Sequence, residues 1–119
     1  MKRTLFTLVM LVTFCSACSN TEAQKKLYSA ESLLQTKPDS CLAIMESIVP
    51  SYLKTKEERA RYALLMSAAL DKNYIDVASD SLIRVAVDYY SVRNDQRRRM
   101  MANYYHGLIL NMLPEIVWP

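Results

Sequence analysis

The side chains of this chain with chemistry to offer are one histidine, three cysteines and a run of three arginines, and their spacing limits what they could do. His106 has no second histidine, no paired cysteine and no Asp/Glu cluster at ligand spacing, so a protein metal site lacks ligands. Its place beside Tyr105 and just before Ile109 suits a partly buried helix residue better than a general base. Serines are plentiful, yet no Gly-x-Ser-x-Gly elbow surrounds any of them. No cofactor is expected, and catalysis is not. Arg97, Arg98 and Arg99 could meet anionic lipid or nucleic acid. At a helix start such charge opposes the macrodipole, and three consecutive side chains fan over most of the circumference, so a solvated turn is expected, with no nucleic-acid partner.

The elements that would have to position these groups come from the composition. The chain has 119 residues, 15 Lys plus Arg against 12 Asp plus Glu, and a single glycine. One glycine starves hairpin turns of the φ > 0 positions they need, which excludes all-β and Gly-rich phosphate-loop folds. The net charge of +3 falls to +1 when residues 1–17 are set aside with Lys2 and Arg3, and that balance does not imply a polyanion partner.

Lys2 and Arg3 precede an apolar run from Leu5 to Phe14, closed by Ser16 and Ala17 before Cys18. These are the three regions of a secretory leader, and about ten apolar residues are too few for a permanent span of ~20. Cys15-Ser16-Ala17-Cys18 resembles a bacterial lipobox, with Cys15 where Leu is usual. The expectation is a leader over 1–17, Cys18 lipidated, and a polar tether over 18–24. The protein would then be exported and lipid-anchored in the cell envelope, at the periplasmic face or outer membrane. Cys41 would be the one remaining thiol, a small buried side chain in an apolar pattern.

From Lys25 apolar residues recur at helical spacing through Leu27, Ala30, Leu33 and Leu34 until Thr36-Lys37-Pro38. Asp39 or Ser40 is expected to cap a second helix carrying Cys41, Ile44, Met45, Ile48 and Val49, which Pro50 stops. A third begins around Thr55, with Glu57 and Glu58 in its first turn, and ends at Lys72-Asn73. A fourth follows Ser79 or Asp80 and carries Leu82, Ile83, Val85, Ala86, Tyr89 and Tyr90. A fifth starts after Asn94-Asp95 and ends at Pro114. The expected fold is all-α: antiparallel helical hairpins stacked as a short solenoid over 25–113, with a tail over 114–119; a globular five-helix bundle fits the same periodicity.

Three stretches carry a family likeness: Ala30-Glu31-Ser32-Leu33-Leu34 with Ile44-Met45-Glu46-Ser47-Ile48, Ala63-Leu64-Leu65 through Asn73-Tyr74, and Asp80-Ser81-Leu82-Ile83 with Ala86-Val87-Asp88-Tyr89-Tyr90. The chain resembles the tetratricopeptide-type helical lipoproteins and regulators of Bacteroidetes. Ala102-Asn103-Tyr104-Tyr105-His106-Gly107 resembles the opening helix of a further repeat, with His106 where Leu is usual. The resemblance implies a truncated member, in which Tyr104, Leu108, Ile109 and Met112 stay uncovered unless the helix folds back or finds a partner. It also implies a non-catalytic interaction scaffold with a protein or peptide partner. The alternative is the detached N-terminal sensory part of a membrane signalling or transcription regulator; a helical nutrient-binding lipoprotein of a glycan uptake complex would want a larger chain.

Eight tyrosines lie beyond the leader, which holds both Phe. Tyr89-Tyr90 and Tyr104-Tyr105 are adjacent pairs that must point to different sides of a helix, so one ring of each can pack while the other is available. The candidate contact positions are Tyr62, Tyr90, Tyr105 and the turn Arg97, Arg98, Arg99.

Overall fold

The computed structural model describes residues 22–113, all of whose regular structure is helical. The expected leader, the expected acylation site Cys18 and the 114–119 tail lie outside those residues. Five α-helices follow one another: α1 over 22–33, α2 Pro38–Ser47, α3 Lys56–Lys72, α4 Ser81–Tyr90 and α5 Gln96–Met112. A single 3-10 turn, Pro50–Tyr52, lies between α2 and α3.

Two expected boundaries are corrected. Helix already covers residues 22–24, and Ala23 is buried in the core, so the polar segment is not a tether as far as Gln24. At α2 neither Asp39 nor Ser40 is the cap: Lys37 stands at the N-cap, makes no side-chain bond, and Pro38 opens the helix. Proline suits a first turn because its missing N–H would have had no intrahelical acceptor there. One proline thus ends α1 and begins α2. At α3 Thr55 caps as its sequence predicts, its hydroxyl accepting the Glu58 N–H at 3.1 Å while the Glu58 carboxylate takes the Thr55 hydroxyl at 3.2 Å and the Lys54 N–H at 3.4 Å. Glu58 is buried in doing so. Asp95 caps α5, accepting the Arg98 N–H at 3.1 Å.

The α3 terminus is held differently. Asn73 donates its amide to Ala69 O at 2.7 Å and, across to the start of α2, to Pro38 O at 2.9 Å. Tyr74 then turns the chain at φ 59°, and Ile75 N–H closes on Leu70 O at 2.9 Å. This is the left-handed helix ending that glycine normally supplies, filled by a tyrosine in a chain with one glycine.

Contacts between the ends of the helices show that neighbours alternate in direction. Lys26 Nζ near the start of α1 reaches Ser47 O at the end of α2. Asn73 at the end of α3 meets Pro38 at the start of α2. Tyr90 at the end of α4 lies beside Glu57 and Arg61 of the first turns of α3, and His106 late in α5 meets Asp80 at the start of α4. The core runs through all five helices, from Leu27, Ala30 and Leu34 through Met45, Leu64, Leu65 and Ile83 to Ala102 and Ile109. α3 is its axis and packs against α2, α4 and α5. Its buried Ala60, Ala63, Ser67, Ala68 and Ala69 let neighbours approach closely. Full burial of each large aliphatic side chain such as Leu27 or Leu64 contributes about 1.5–3 kcal/mol.

Candidate functional site

The Arg97–Arg99 turn is a tertiary joint as well as a charged surface. Arg98 donates to both oxygens of Glu31 on α1, at 2.9 and 3.1 Å, and to Asp95 Oδ2 at 2.9 Å. Its guanidinium is held firmly protonated by those two carboxylates, and the same contact pulls the Asp95 carboxyl below its usual range. Arg97 also reaches Glu31, at 3.3 Å, from a more exposed position. Arg99 donates to Arg93 O at 3.5 Å. The expected solvated turn therefore describes Arg97 alone, which is exposed; Arg98 and Arg99 are both half-buried, and Arg98 ties α5 to α1.

The tyrosine pairs divide as their spacing requires, with rings edge-on at 5.1 Å in both. The packed members, however, are Tyr90 and Tyr105, at 2% and 6% exposure, while Tyr104 is 61% exposed and Tyr89 half-buried. Tyr90 and Tyr105, expected as contact positions, each lie buried on the α3 side of their helix, where the core lies, and it is Tyr104 that presents its ring to solvent. Burial pushes the Tyr90 hydroxyl up to about 12, and raises Tyr105 and the half-buried Tyr62, which packs on the core. Burial also raises the thiol of Cys41, which is fully enclosed.

His106 Nε2 lies 3.0 Å from Asp80 Oδ2, and the contact lowers the Asp80 carboxyl. Neither residue's sequence neighbourhood announces this pair, since 26 positions separate them. It fastens α5 to the start of α4, whose N-cap residue Asp80 makes no capping bond. Among the described residues no three His, Cys, Asp or Glu gather to hold a metal, and no helix is long and apolar enough to cross a membrane.

Among the described residues, two surfaces gather several side chains that could meet another molecule. On α5, Ala102, Tyr105 and Ile109 are buried and Leu108 packs partly against the core, so the helix does fold back on α3 and α4. Its other side carries Met100, Tyr104 and Leu110, at 71%, 61% and 52% exposure. Gly107 lies on that exposed stripe, and a Cβ built there would touch nothing. The second surface is an open hollow of about 400 Å³ between the start of α3 and the end of α4, lined by Lys56, Arg59, Val85, Asp88, Tyr89, Val92 and Arg93. The Arg93 guanidinium sits 4.6 Å over the Tyr89 ring. Sequence reasoning passed over this hollow because its cations come from α3 and from the α4–α5 connection and form no run. No protein family, curated protein or solved structure matches the chain.

Proposed function

We propose that the protein is a non-catalytic, exported and lipid-anchored scaffold whose helical hairpins stack in tetratricopeptide fashion and bind a protein or peptide partner. The observation that carries this reading is the α5 stripe. Met100, Tyr104 and Leu110 recur at helical spacing with Gly107 between them, an apolar ridge with a gap where a second helix can come close. Alternating helix directions and the small residues of α3 support the stacking. The leader and Cys18 support the anchor.

Replacing Tyr104 by a photoreactive amino acid in the full chain, in intact cells, tests the partner. A discrete protein adduct is expected at Tyr104 and none at the exposed Ser81 of α4; equal yields at both positions, or no adduct at Tyr104, would contradict the reading. Labelling with a palmitate analogue tests the anchor. Cys18→Ala is expected to abolish label and membrane retention, and unchanged retention refutes acylation.

A further inference from the structure

Alternating helices sort the charged residues by end. One end of the body gathers the first described turns of α1, the α2–α3 connection and the α4–α5 connection. Of the thirteen Lys and Arg among the described residues, ten fall in the segments 22–26, 46–61 and 88–99, with six carboxylates; Glu31, from the last turn of α1, is a seventh, bonded by Arg97 and Arg98. The opposite end keeps Lys37, Lys72 and Arg84 against Asp39, Asp71, Asp76 and Asp80. The pairing sharpens this contrast. Glu57, Asp95 and Glu31 are occupied by Arg61, Arg98 and Arg97, and Glu58 is buried in its cap. Lys54, Lys56 and Arg93 have no carboxylate within salt-bridge distance among the described residues.

The hollow lies at this same end. Lys56, Arg59 and Arg93 line it with the exposed Val85 and Val92 and the half-buried Tyr89, and Asp88 is the one opposing charge. Three cations beside exposed aliphatic groups, one of them (Arg59) also donating to Leu53 O and Lys54 O, match a phosphodiester joined to the first carbons of an acyl chain. The covalent geometry brings this end of the body, at the start of α1, near the membrane surface. Cys18 precedes Glu22 by four residues, and a chain spans at most about 3.6 Å per residue, so the N-terminal attachment point lies within about 15 Å of the start of α1 at this end. We infer that the basic end of the helical body faces the bilayer and engages anionic phospholipid headgroups, with the α3–α4 hollow as a headgroup seat. The inference rests on the anchored reading above for its orientation. Each Lys or Arg brought to an anionic surface raises partition about fivefold, and the acidic opposite end is repelled, so one orientation wins.

The test is lysine acetylation of the full chain reconstituted in nanodiscs of phosphatidylcholine alone or with a third phosphatidylglycerol, read by mass spectrometry. On the anionic discs Lys54 and Lys56 are expected to react about fivefold or more slowly than on neutral discs, with recovery in 1 M salt, while Lys37 and Lys72 change less than about twofold. The variant Lys56→Glu with Arg93→Glu alters two surface positions and is expected to remove most of the Lys54 protection; circular dichroism on the same sample shows whether the helices are intact. Equal rates on both discs, protection of Lys37 and Lys72 instead, or protection of Lys56 by an added acidic peptide but not by anionic lipid would each overturn the inference. The same digest reports whether Cys18 carries acyl chains. An unmodified Cys18 with the lysine contrast intact sinks the anchor alone, and an acylated Cys18 without the contrast sinks the headgroup surface alone.

Discussion

α3 and α5 are both 17 residues long and both touch α4, yet they are held by different physics. α3 buries eight residues, five of them Ala or Ser, and neighbours close on it from several sides. α5 buries three and keeps Met100, Tyr104 and Leu110 in water. What packing does not supply to α5 is supplied by polar fasteners, Arg98 to Glu31 and Asp95 at its start and His106 to Asp80 further along. The lesson is that a helix lined with small residues can serve as an axis, while a helix ringed with large apolar ones is left with a face to offer.

The largest effect that would break this contrast is a cavity in the axis. Leu64→Ala is expected to cost about 2–5 kcal/mol in thermal or denaturant unfolding, because Leu64 is fully enclosed. Leu110→Ala on the open side of α5 should stay within about 0.5 kcal/mol. Comparable losses at the two leucines would mean that α5 is as deeply packed as α3. Next in size is the fastener: Arg98→Ala should cost about 1–2 kcal/mol, and a double-mutant cycle with Glu31→Ala should recover a coupling energy between them. The α3 cap follows, with Thr55→Ala expected to lose about 1 kcal/mol.

The smallest effect is the pH response of the α4–α5 contact. His106 lowers the folded-state pKa of Asp80 below its unfolded value, so the contribution is present above pH about 4 and is lost as pH falls through the folded pKa. The melting-temperature difference between the parent chain and Asp80→Asn should therefore be largest near neutrality and shrink below pH 4. A difference that grows on acidification would reverse the assignment.

Much of the backbone was legible before any coordinates. Thr55 with Glu58, Asp95 before α5, Lys72-Asn73 after α3 and the lone glycine all act over a few residues, and local rules read local signals. The same rules placed the α2 cap on Asp39 or Ser40 because proline reads first as a stop. Which tyrosine of each pair packs was not legible. Apolar residues run round α5 at 100, 101, 102, 104, 105, 108, 109, 110 and 112, so two faces look equally fit for burial, and only the position of α3 decides between them. The surface features were harder still. Glu31 lies 67 positions from Arg98, and the hollow joins Lys56 to Arg93 across a helix hairpin, so neither leaves a motif.

The division of labour between axis and face is tested most directly by hydrogen exchange on the full chain, followed peptide by peptide. The slowest amides are expected in α3 from Ala63 to Ala69, near the global unfolding limit, with the second half of α5 exchanging through smaller openings and well before them. Protection of α5 equal to that of α3, or rapid exchange throughout Ala63 to Ala69, would contradict the account.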